Sequence, residues 1–268
     1  MRIQQLFQIA VLSGGLLANA CFGTVIFQDD FNTDPIGGDP SPAPWNIREF
    51  ETTNRFIDVL GDGGNLFGEG VSNRFIRLID NDPQISPPGD YVGVGASDAC
   101  PATPVLTLSF DYYEPSGGLS DPFGVRFLSA GAPAITGNGN FRYSFNFDDG
   151  ALEGALGAYS LDAEHRIDIV LNNQDVSIMY LGGTETIDPR SADIWVDGVL
   201  RIADASRSSF GTVTGIGFLS GSTSLQESFF DNVQVEDQAI VTGLVPEPGT
   251  AGLLFAGLGL LTVLRRKK

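Results

Sequence analysis

Short stretches of alternating apolar and polar residues run through most of this sequence, and glycine, proline, asparagine or aspartate separates one stretch from the next. The clearest stretch is 106–112, where Leu, Leu, Phe and Tyr occupy the even positions and Thr, Ser and Asp the odd ones. Strand side chains point alternately to two faces, so this period of two is typical of a half-buried β-strand. Residues 166–171 repeat the pattern, and no part of the middle keeps a helical period for long. The pattern favours an all-β fold and disfavours a helix bundle.

A tight β-hairpin is predicted at Asp197-Gly198, between two short apolar runs. An Asp-Gly pair readily supplies the positive φ angles that a type I′ turn requires. We predict further strands at 25–28, 56–60, 74–79, 123–128, 141–147, 176–181, 215–220 and 228–235. So many strands in one domain-sized stretch indicate an antiparallel β-sandwich, which we place at 24–236.

The first 23 residues have the layout of a secretory signal peptide. Arg2 is the basic start, an apolar run follows at about 9–17, and small residues precede a cleavage site after Ala20 or after Gly23. The alternatives are a buried N-terminal strand and an uncleaved anchor. They are less favoured because polar glutamines near the start shorten any apolar span.

The other end has the layout of a membrane anchor. An apolar segment at 249–264 precedes a basic cluster of Arg265, Arg266, Lys267 and Lys268. The segment is shorter than the roughly 20 residues that span a bilayer comfortably, although terminal Arg and Lys side chains can reach back to the membrane surface. Because positive charge stays in the cytoplasm, we predict a C-terminal transmembrane helix with the acidic body outside the inner membrane.

Directly before this segment stands Val245-Pro246-Glu247-Pro248. The order of motif, apolar span and basic cluster closely resembles the PEP-CTERM sorting domain of Gram-negative bacteria. The resemblance covers 245–268 and implies recognition by exosortase, a membrane-embedded cysteine transpeptidase that cuts near the motif and moves the body to the cell surface or the exopolysaccharide matrix. The prolines also keep the motif extended, as a protease cleft requires. We place a stalk at 237–244, and an ordinary anchor behind such a stalk is the alternative.

The order of segments in the body resembles the concanavalin A-like and laminin G-like jelly rolls of surface proteins. Three segments carry this resemblance: 27–31 at the entry, 165–173 before the Asp197-Gly198 hairpin, and 230–235 at the exit. The expected fold is therefore an antiparallel jelly-roll β-sandwich, flanked by an N-terminal signal helix and the C-terminal transmembrane helix.

Charge is unevenly distributed along the chain. The formal net charge is −18, but residues 24–246 contain 10 basic and 32 acidic residues, a formal charge of −22. Such a surface cannot neutralise phosphates, which excludes a nucleic-acid partner. It attracts divalent cations and polycationic partners, although plain solvation of the surface is the simpler interpretation.

The chain has two cysteines, Cys21 and Cys100, and they do not establish whether it contains a disulfide bond. If cleavage follows Ala20, both remain and can pair in an oxidising compartment; if it follows Gly23, Cys100 is left alone. A lipoprotein modified at Cys21 is disfavoured because Asn19 interrupts the run of small residues.

The sequence offers few catalytic groups. His165 is the only histidine, and no Gly-x-Ser-x-Gly motif or Cys-His pairing accompanies it, so we expect a surface or sheet-edge residue. Laminarinase-like glucanases of the same fold class carry a Glu-x-Asp-x-Glu strand. The nearest strings here, at 49–51 and 164–168, do not match it. We therefore predict a protein that is not an enzyme.

Calcium is the most plausible ligand among metal ions, because carboxylates bind hard cations and an exported protein meets millimolar calcium. If the first and last strands are neighbours, Asp29 or Asp30 faces Asp231 across the sheet edge. The acidic, glycine-rich loop 58–65 is a second candidate. Solvated acids are the alternative for both.

Exposed aromatic rings would provide stacking platforms for sugars. Trp45 lies in a proline-rich stretch, and Tyr112 and Tyr113 end a strand, so these three are candidate glycan-binding residues. Packing in the core or in a loop is the alternative for Trp45.

The sequence as a whole predicts a non-catalytic surface or matrix protein. Its expected partners are the secretion machinery, exosortase and exopolysaccharide, with the membrane as a partner until the tail is processed. A secreted carbohydrate-active hydrolase on the same fold is the alternative function.

Overall fold

A computed structural model describes residues 23–40, 45–48, 55–80, 92–97, 99–100, 102–117, 123–129, 141–206, 212–220 and 226–242. The predicted signal helix, transmembrane helix, sorting motif and basic cluster lie outside these residues. The described part contains no helix whose length and hydropathy suit a membrane span. It contains a short 3₁₀ turn at Leu181–Gly183.

The described residues form the following strands: β1 Val25–Asp29, β2 Trp45–Arg48, β3 Arg55–Gly61, β4 Arg74–Asp80, β5 Val92–Ala96, β6 Val105–Tyr113, β7 Phe123–Ser129, β8 Phe141–Asp148, β9 Ala151–Leu152, β10 Glu164–Asn172, β11 Ile178–Tyr180, β12 Glu185–Ile187, β13 Ser191–Val196, β14 Val199–Ser206, β15 Val213–Ser220 and β16 Gln226–Glu236. The predicted Asp197-Gly198 hairpin is confirmed: both residues have positive φ, and Val196 pairs with Val199.

The strands form two antiparallel sheets that face each other. The larger sheet has the order β14-β13-β10-β6-β16-β4-β3, with β1 also paired to β16, and the smaller has the order β2-β5-β15-β7-β8-β9. Strands β11 and β12 form a separate hairpin. The first and last strands are neighbours, since Phe27 pairs with Val235. These sheets confirm the predicted all-β antiparallel sandwich.

Phenylalanine rings join the two sheets. The ring centroid of Phe218 on β15 lies 4.3 Å from that of Phe230 on β16 and 5.2 Å from that of Phe110 on β6. Phe123 on β7 stacks on Phe218 from within the smaller sheet, at 5.9 Å. All four side chains are fully buried. The core is therefore an aromatic layer to which both sheets contribute.

The outer face of the larger sheet is also partly covered. Thr107, Ser109 and Asp111 of β6 point away from the core, yet each is less than 10% exposed. Residues 237–242, which we call the strap, lie against this face, and Val241 is fully buried. Within the described residues the packed body therefore includes 237–242, which are six residues of the predicted stalk 237–244.

Cys100 lies in the core, fully buried, and has no disulfide partner among the described residues. Burial raises the pKa of this thiol to about 12, which keeps it protonated and unreactive at neutral pH. Cys21 lies outside the described residues, so its pairing with Cys100 stays a prediction.

Replacing Phe218 with alanine is expected to lower the free energy of unfolding by about 3–5 kcal/mol, because it opens a cavity where the aromatic layers of both sheets meet. Urea denaturation of the purified protein measures this loss. Leu156→Ala is the matched control, since Leu156 is 89% exposed and should change stability by less than about 0.5 kcal/mol. Equal losses in the two variants would contradict the packing described above.

Candidate functional site

A β-bulge shapes the outer face of the larger sheet. Asp231 of β16 lies opposite Asp111 of β6, but Gln234 lies opposite Ser109, so β16 contains one residue more than its partner. Asn232 lies in this bulge, and its backbone φ angle is 48°. Asparagine tolerates the left-handed region better than most residues, so an Asp-Asn pair inside a strand is the local sequence signal for the bulge.

The bulge opens onto a polar groove of about 480 Å³. Its lining residues are Gln28, Glu69, Asp111, Arg166, Asn232, Gln234 and Thr242. They come from β1, the β3–β4 loop, β6, β10, β16 and the strap. None of them was predicted as a site residue from the sequence, because they become neighbours only when the sheet forms.

Arg166 organises the groove. Its Nη1 donates to Asp111 Oδ1 at 3.0 Å and to the Asn232 carbonyl at 3.3 Å, and its Nε donates to Thr242 Oγ1 at 3.1 Å. The Asn232 amide donates to Asp111 Oδ2 at 2.7 Å and to Glu69 Oε1 at 2.8 Å. Most of the polar lining is therefore held in place before any ligand arrives.

Asp168 lies beneath the groove and is fully buried. Its Oδ1 accepts hydrogen bonds from Ser109 Oγ at 2.5 Å and from Thr242 Oγ1 at 2.9 Å, and its Oδ2 accepts one from the Thr242 N–H at 3.2 Å. Burial raises the pKa of this carboxyl, while these hydrogen bonds and the nearby Arg166 guanidinium oppose the rise. Asp168 thereby ties the end of the strap to the sheet.

The three residues of the predicted calcium site serve separate structural roles. Asp29 accepts from Trp45 Nε1 at 2.7 Å and from the Phe31 N–H at 2.9 Å, while Asp30 accepts from the Asn32 N–H. Asp29 lies opposite Val233 and not opposite Asp231. No group of three or more His, Cys, Asp or Glu side chains that suits a metal ion occurs in the described ranges. The predicted ligand set is therefore not assembled.

The second calcium candidate, loop 58–65, uses its acids to hold the backbone and a neighbouring strand. Asp58 forms two hydrogen bonds with the Arg77 guanidinium, at 2.8 and 2.9 Å. Asp62 accepts from the N–H groups of Leu66 and Phe67. Asp58 and Asp62 therefore have structural partners within the protein.

Two of the three predicted glycan-binding aromatics are core residues. Trp45 is 8% exposed and packs against Phe27, and Tyr112 is fully buried against Phe123. Neither ring offers a free face, so the expectation of stacking platforms at these two positions is corrected. Tyr113 is partly buried beside Phe229 on the outer face.

His165 is buried, contrary to the expected surface or sheet-edge position. Its Nδ1 lies 2.7 Å from Asp197 Oδ2, and its Nε2 lies 3.1 Å from Ser160 Oγ. Sequence patterns missed this Ser-His-Asp series because it joins a loop, a strand and a hairpin turn. The same Nε2 lies 2.9 Å from the Ser160 carbonyl oxygen, which needs an N–H donor, and 3.2 Å from the Ser160 backbone N–H, which needs an acceptor. The backbone N–H and carbonyl of Ser160 therefore compete with its hydroxyl for Nε2.

The C-terminal tail matches a known family. Residues 244–268 match the PEP-CTERM protein-sorting motif, which confirms the predicted resemblance. The motif marks an exported protein that is anchored in the membrane before exosortase cleavage and is then placed at the cell surface. No curated protein matches the chain.

Several solved structures are similar to this chain at low identity. The T. cruzi calreticulin globular domain is 12% identical, with a TM-score of 0.49 over 91% of this chain and 100% of that one. An endo-β-1,4-glucuronan lyase from the fungus Trichoderma reesei is 11% identical, with a TM-score of 0.48 over 80% and 95%. A protein with a galectin-like fold from Bacillus subtilis is 10% identical, with a TM-score of 0.46 over 82% and 98%. With TM-scores below 0.5, these similarities assign no function to this chain.

The Asp231 carboxyl provides a pH test of the bulge. It accepts from Asn73 Nδ2 at 2.6 Å and from the Asn232 N–H at 2.7 Å, and burial, with smaller effects from Glu69 and Asp111, raises its pKa to about 8. The folded state therefore holds a proton that the unfolded state releases near pH 4. Between these values the free energy of unfolding falls as pH rises, by up to about 1.4 kcal/mol per pH unit.

Asp231→Asn keeps an oxygen for the Asn73 amide and removes the titration. Urea denaturation at pH 5, 6, 7 and 8 should give a shallower fall for this variant than for the wild type. Asp39→Asn, at an exposed aspartate, is the control and should follow the wild type. Parallel profiles for wild type and Asp231→Asn would show that this carboxyl is ionised throughout the range.

Proposed function

We propose that this protein is a non-catalytic surface protein that binds uncharged polysaccharide in the groove. Its export and its sorting through exosortase follow from the tail motif. The observation that carries the binding proposal is the preorganised polar network of the groove, centred on Arg166.

The chemistry of the lining suits sugar hydroxyl groups. A sugar hydroxyl both donates and accepts a hydrogen bond. In the groove, carboxylates accept, the guanidinium donates and the amides do both, all from planar groups with fixed angles. Gln28 and Gln234 are paired across β1 and β16 and lie beside the Asp111, Arg166 and Asn232 network. The volume of the groove also falls within the usual range of small-ligand sites.

Charge favours a neutral glycan over one that carries uronate or sulfate groups. The lining holds the carboxylates of Glu69 and Asp111 against one guanidinium, which Asp111 already pairs. Nearby, burial raises the pKa of Glu164, and the charges of Asp111 and Glu69 add to the rise. An anionic sugar would meet this local field at distances too short for salt to screen fully.

Glycan arrays and titration calorimetry on the purified protein test the proposal. We expect neutral polysaccharides to be retained and polyuronates to be rejected. The double variant Gln28→Ala/Gln234→Ala removes two lining amides and should weaken binding about tenfold or more. Gln174→Ala, which removes a glutamine outside the groove, is the control. Failure to retain any glycan, or an equal loss in the control, would contradict the proposal.

The Ser160-His165-Asp197 series is the one observation that favours a hydrolase instead. A serine nucleophile needs an imidazole nitrogen that is available to accept its proton, and the Ser160 backbone N–H at 3.2 Å and carbonyl oxygen at 2.9 Å already occupy Nε2. We therefore expect an active-site-directed fluorophosphonate probe to leave the protein unlabelled. Mass spectrometry measures labelling, with Ser160→Ala as the control. Labelling at Ser160 that is lost in the Ser160→Ala variant would support the hydrolase and overturn the non-catalytic proposal.

A further inference from the structure

Asp111 and Arg166 form the central ion pair of the groove. They lie directly opposite each other on β6 and β10, and both line the groove. Asp111 Oδ1 and Arg166 Nη1 are 3.0 Å apart, and the two side chains are 11% and 23% exposed. A ligand in the groove therefore meets a carboxylate and a guanidinium at the same point.

Both groups keep hydrogen-bonding capacity for a ligand. Within the described part of the chain, Arg166 bonds through Nε and Nη1, and no hydrogen bond involves Nη2, which carries two N–H groups. Asp111 accepts one hydrogen bond at each oxygen, from Arg166 and from Asn232, whereas a carboxylate has about four acceptor sites. The pair thus presents free donors and free acceptors side by side.

The protein holds this pair in place without a ligand. Arg166 Nε donates to Thr242 Oγ1 at 3.1 Å, and Nη1 also donates to the Asn232 carbonyl at 3.3 Å. The Asn232 amide bonds to Asp111 and to Glu69, at 2.7 and 2.8 Å. Because these contacts restrict both planar groups, binding a ligand costs little additional ordering of the side chains. The directions of the free donors and acceptors are therefore set in advance.

Two hydroxyl groups on adjacent carbons of a sugar ring match this arrangement. When they are gauche, their oxygen atoms are separated by about the length of a hydrogen bond, which is close to the 3.0 Å between Asp111 Oδ1 and Arg166 Nη1. One hydroxyl can donate to the carboxylate while its neighbour accepts from Nη2, and both bonds are charge-assisted. An isolated hydroxyl group satisfies the pair less completely, since it supplies one oxygen where two fit.

The length of the groove decides which sugar units reach the pair. Its lining crosses four neighbouring strands, β1, β16, β6 and β10, which is about 14 Å at the usual strand spacing. This is longer than one sugar ring, so units inside a chain can occupy the centre. In such units the linkage decides which hydroxyl groups stay free. Hexopyranose units that are 1,4- or 1,6-linked keep an adjacent pair, whereas 1,3-linked units keep none.

We propose that the pair of Asp111 and Arg166 selects polysaccharides whose units carry two free hydroxyl groups on adjacent carbons. This inference rests on the proposed binding of uncharged polysaccharide and narrows it to a class of linkages. Gln28 and Gln234, at the β1 end of the groove, contribute affinity for either class. The ion pair supplies the selectivity.

Affinity electrophoresis of the purified protein, in gels that contain a neutral polysaccharide, tests the proposal. We expect dextran, which is 1,6-linked, to retard the protein, and a linear 1,3-linked glucan to bind at least about tenfold more weakly because two hydrogen bonds are lost. Dextran that has been oxidised with periodate and reduced with borohydride is the matched ligand. This treatment cleaves the bonds between carbons that carry adjacent hydroxyl groups and leaves the polymer uncharged, so the treated dextran should bind as weakly as the 1,3-linked glucan.

Arg166→Lys keeps the positive charge and removes the planar fork with Nη2. It should lower the affinity for dextran about tenfold and leave the weak affinity for treated dextran nearly unchanged. Arg201→Lys, at an exposed arginine of β14 outside the groove, is the control and should bind as the wild type does. The thermal unfolding transition of each variant checks that it is folded, and the comparison of ligands on the wild-type protein needs no variant.

Equal binding of dextran and treated dextran by the wild-type protein would overturn the selection of adjacent hydroxyl groups and would leave the binding of neutral glycan standing. Binding to none of these polysaccharides would overturn both proposals. An equal loss of affinity for the two dextrans in Arg166→Lys would also overturn the selection, because that result is expected if Arg166 only maintains the shape of the groove.

Discussion

The aromatic layer between the two sheets is the interaction on which the rest of the structure depends. Phe110 and Phe230 of the larger sheet meet Phe218 of the smaller one, and their burial is the main source of hydrophobic stabilisation at the centre of the sandwich. Because successive side chains of a strand point to opposite faces, burying Phe110 inward directs Ser109 and Asp111 outward. The core thus sets which residues are available to the strap and to the groove.

The outer face of the larger sheet has polar groups that require partners. Asp168 is fully buried, and an unpaired carboxyl there would be strongly destabilising. Ser109 and Thr242 satisfy it, so the strap contributes hydrogen bonds that the sheet cannot supply by itself. The strap in turn places Thr242 against Arg166 at the groove. One set of contacts therefore connects the sheet, the groove and the last residues before the sorting tail.

Much of the fold could be predicted from local patterns. Alternation located the long strands, and the Asp197-Gly198 turn has the expected positive φ at both residues. Strand β5 was not predicted, because Val92–Ala96 alternates valine with glycine and so resembles a turn-rich segment. The burial of Trp45 could not be predicted, because the exposure of an aromatic ring depends on what packs over it. That information is not present in the local sequence.

The sequence by itself determined the fold class and the route of this protein out of the cell. The alternation that defines strands is local, and the tail motif is a short linear signal in which two prolines favour extended chain. Only the tertiary structure decided the groove, the role of His165 and the docking of the strap. Asp111, Arg166 and Asn232 lie far apart in the chain, and their hydrogen bonds exist only once β6, β10 and β16 are paired side by side with a bulge that re-aims one strand.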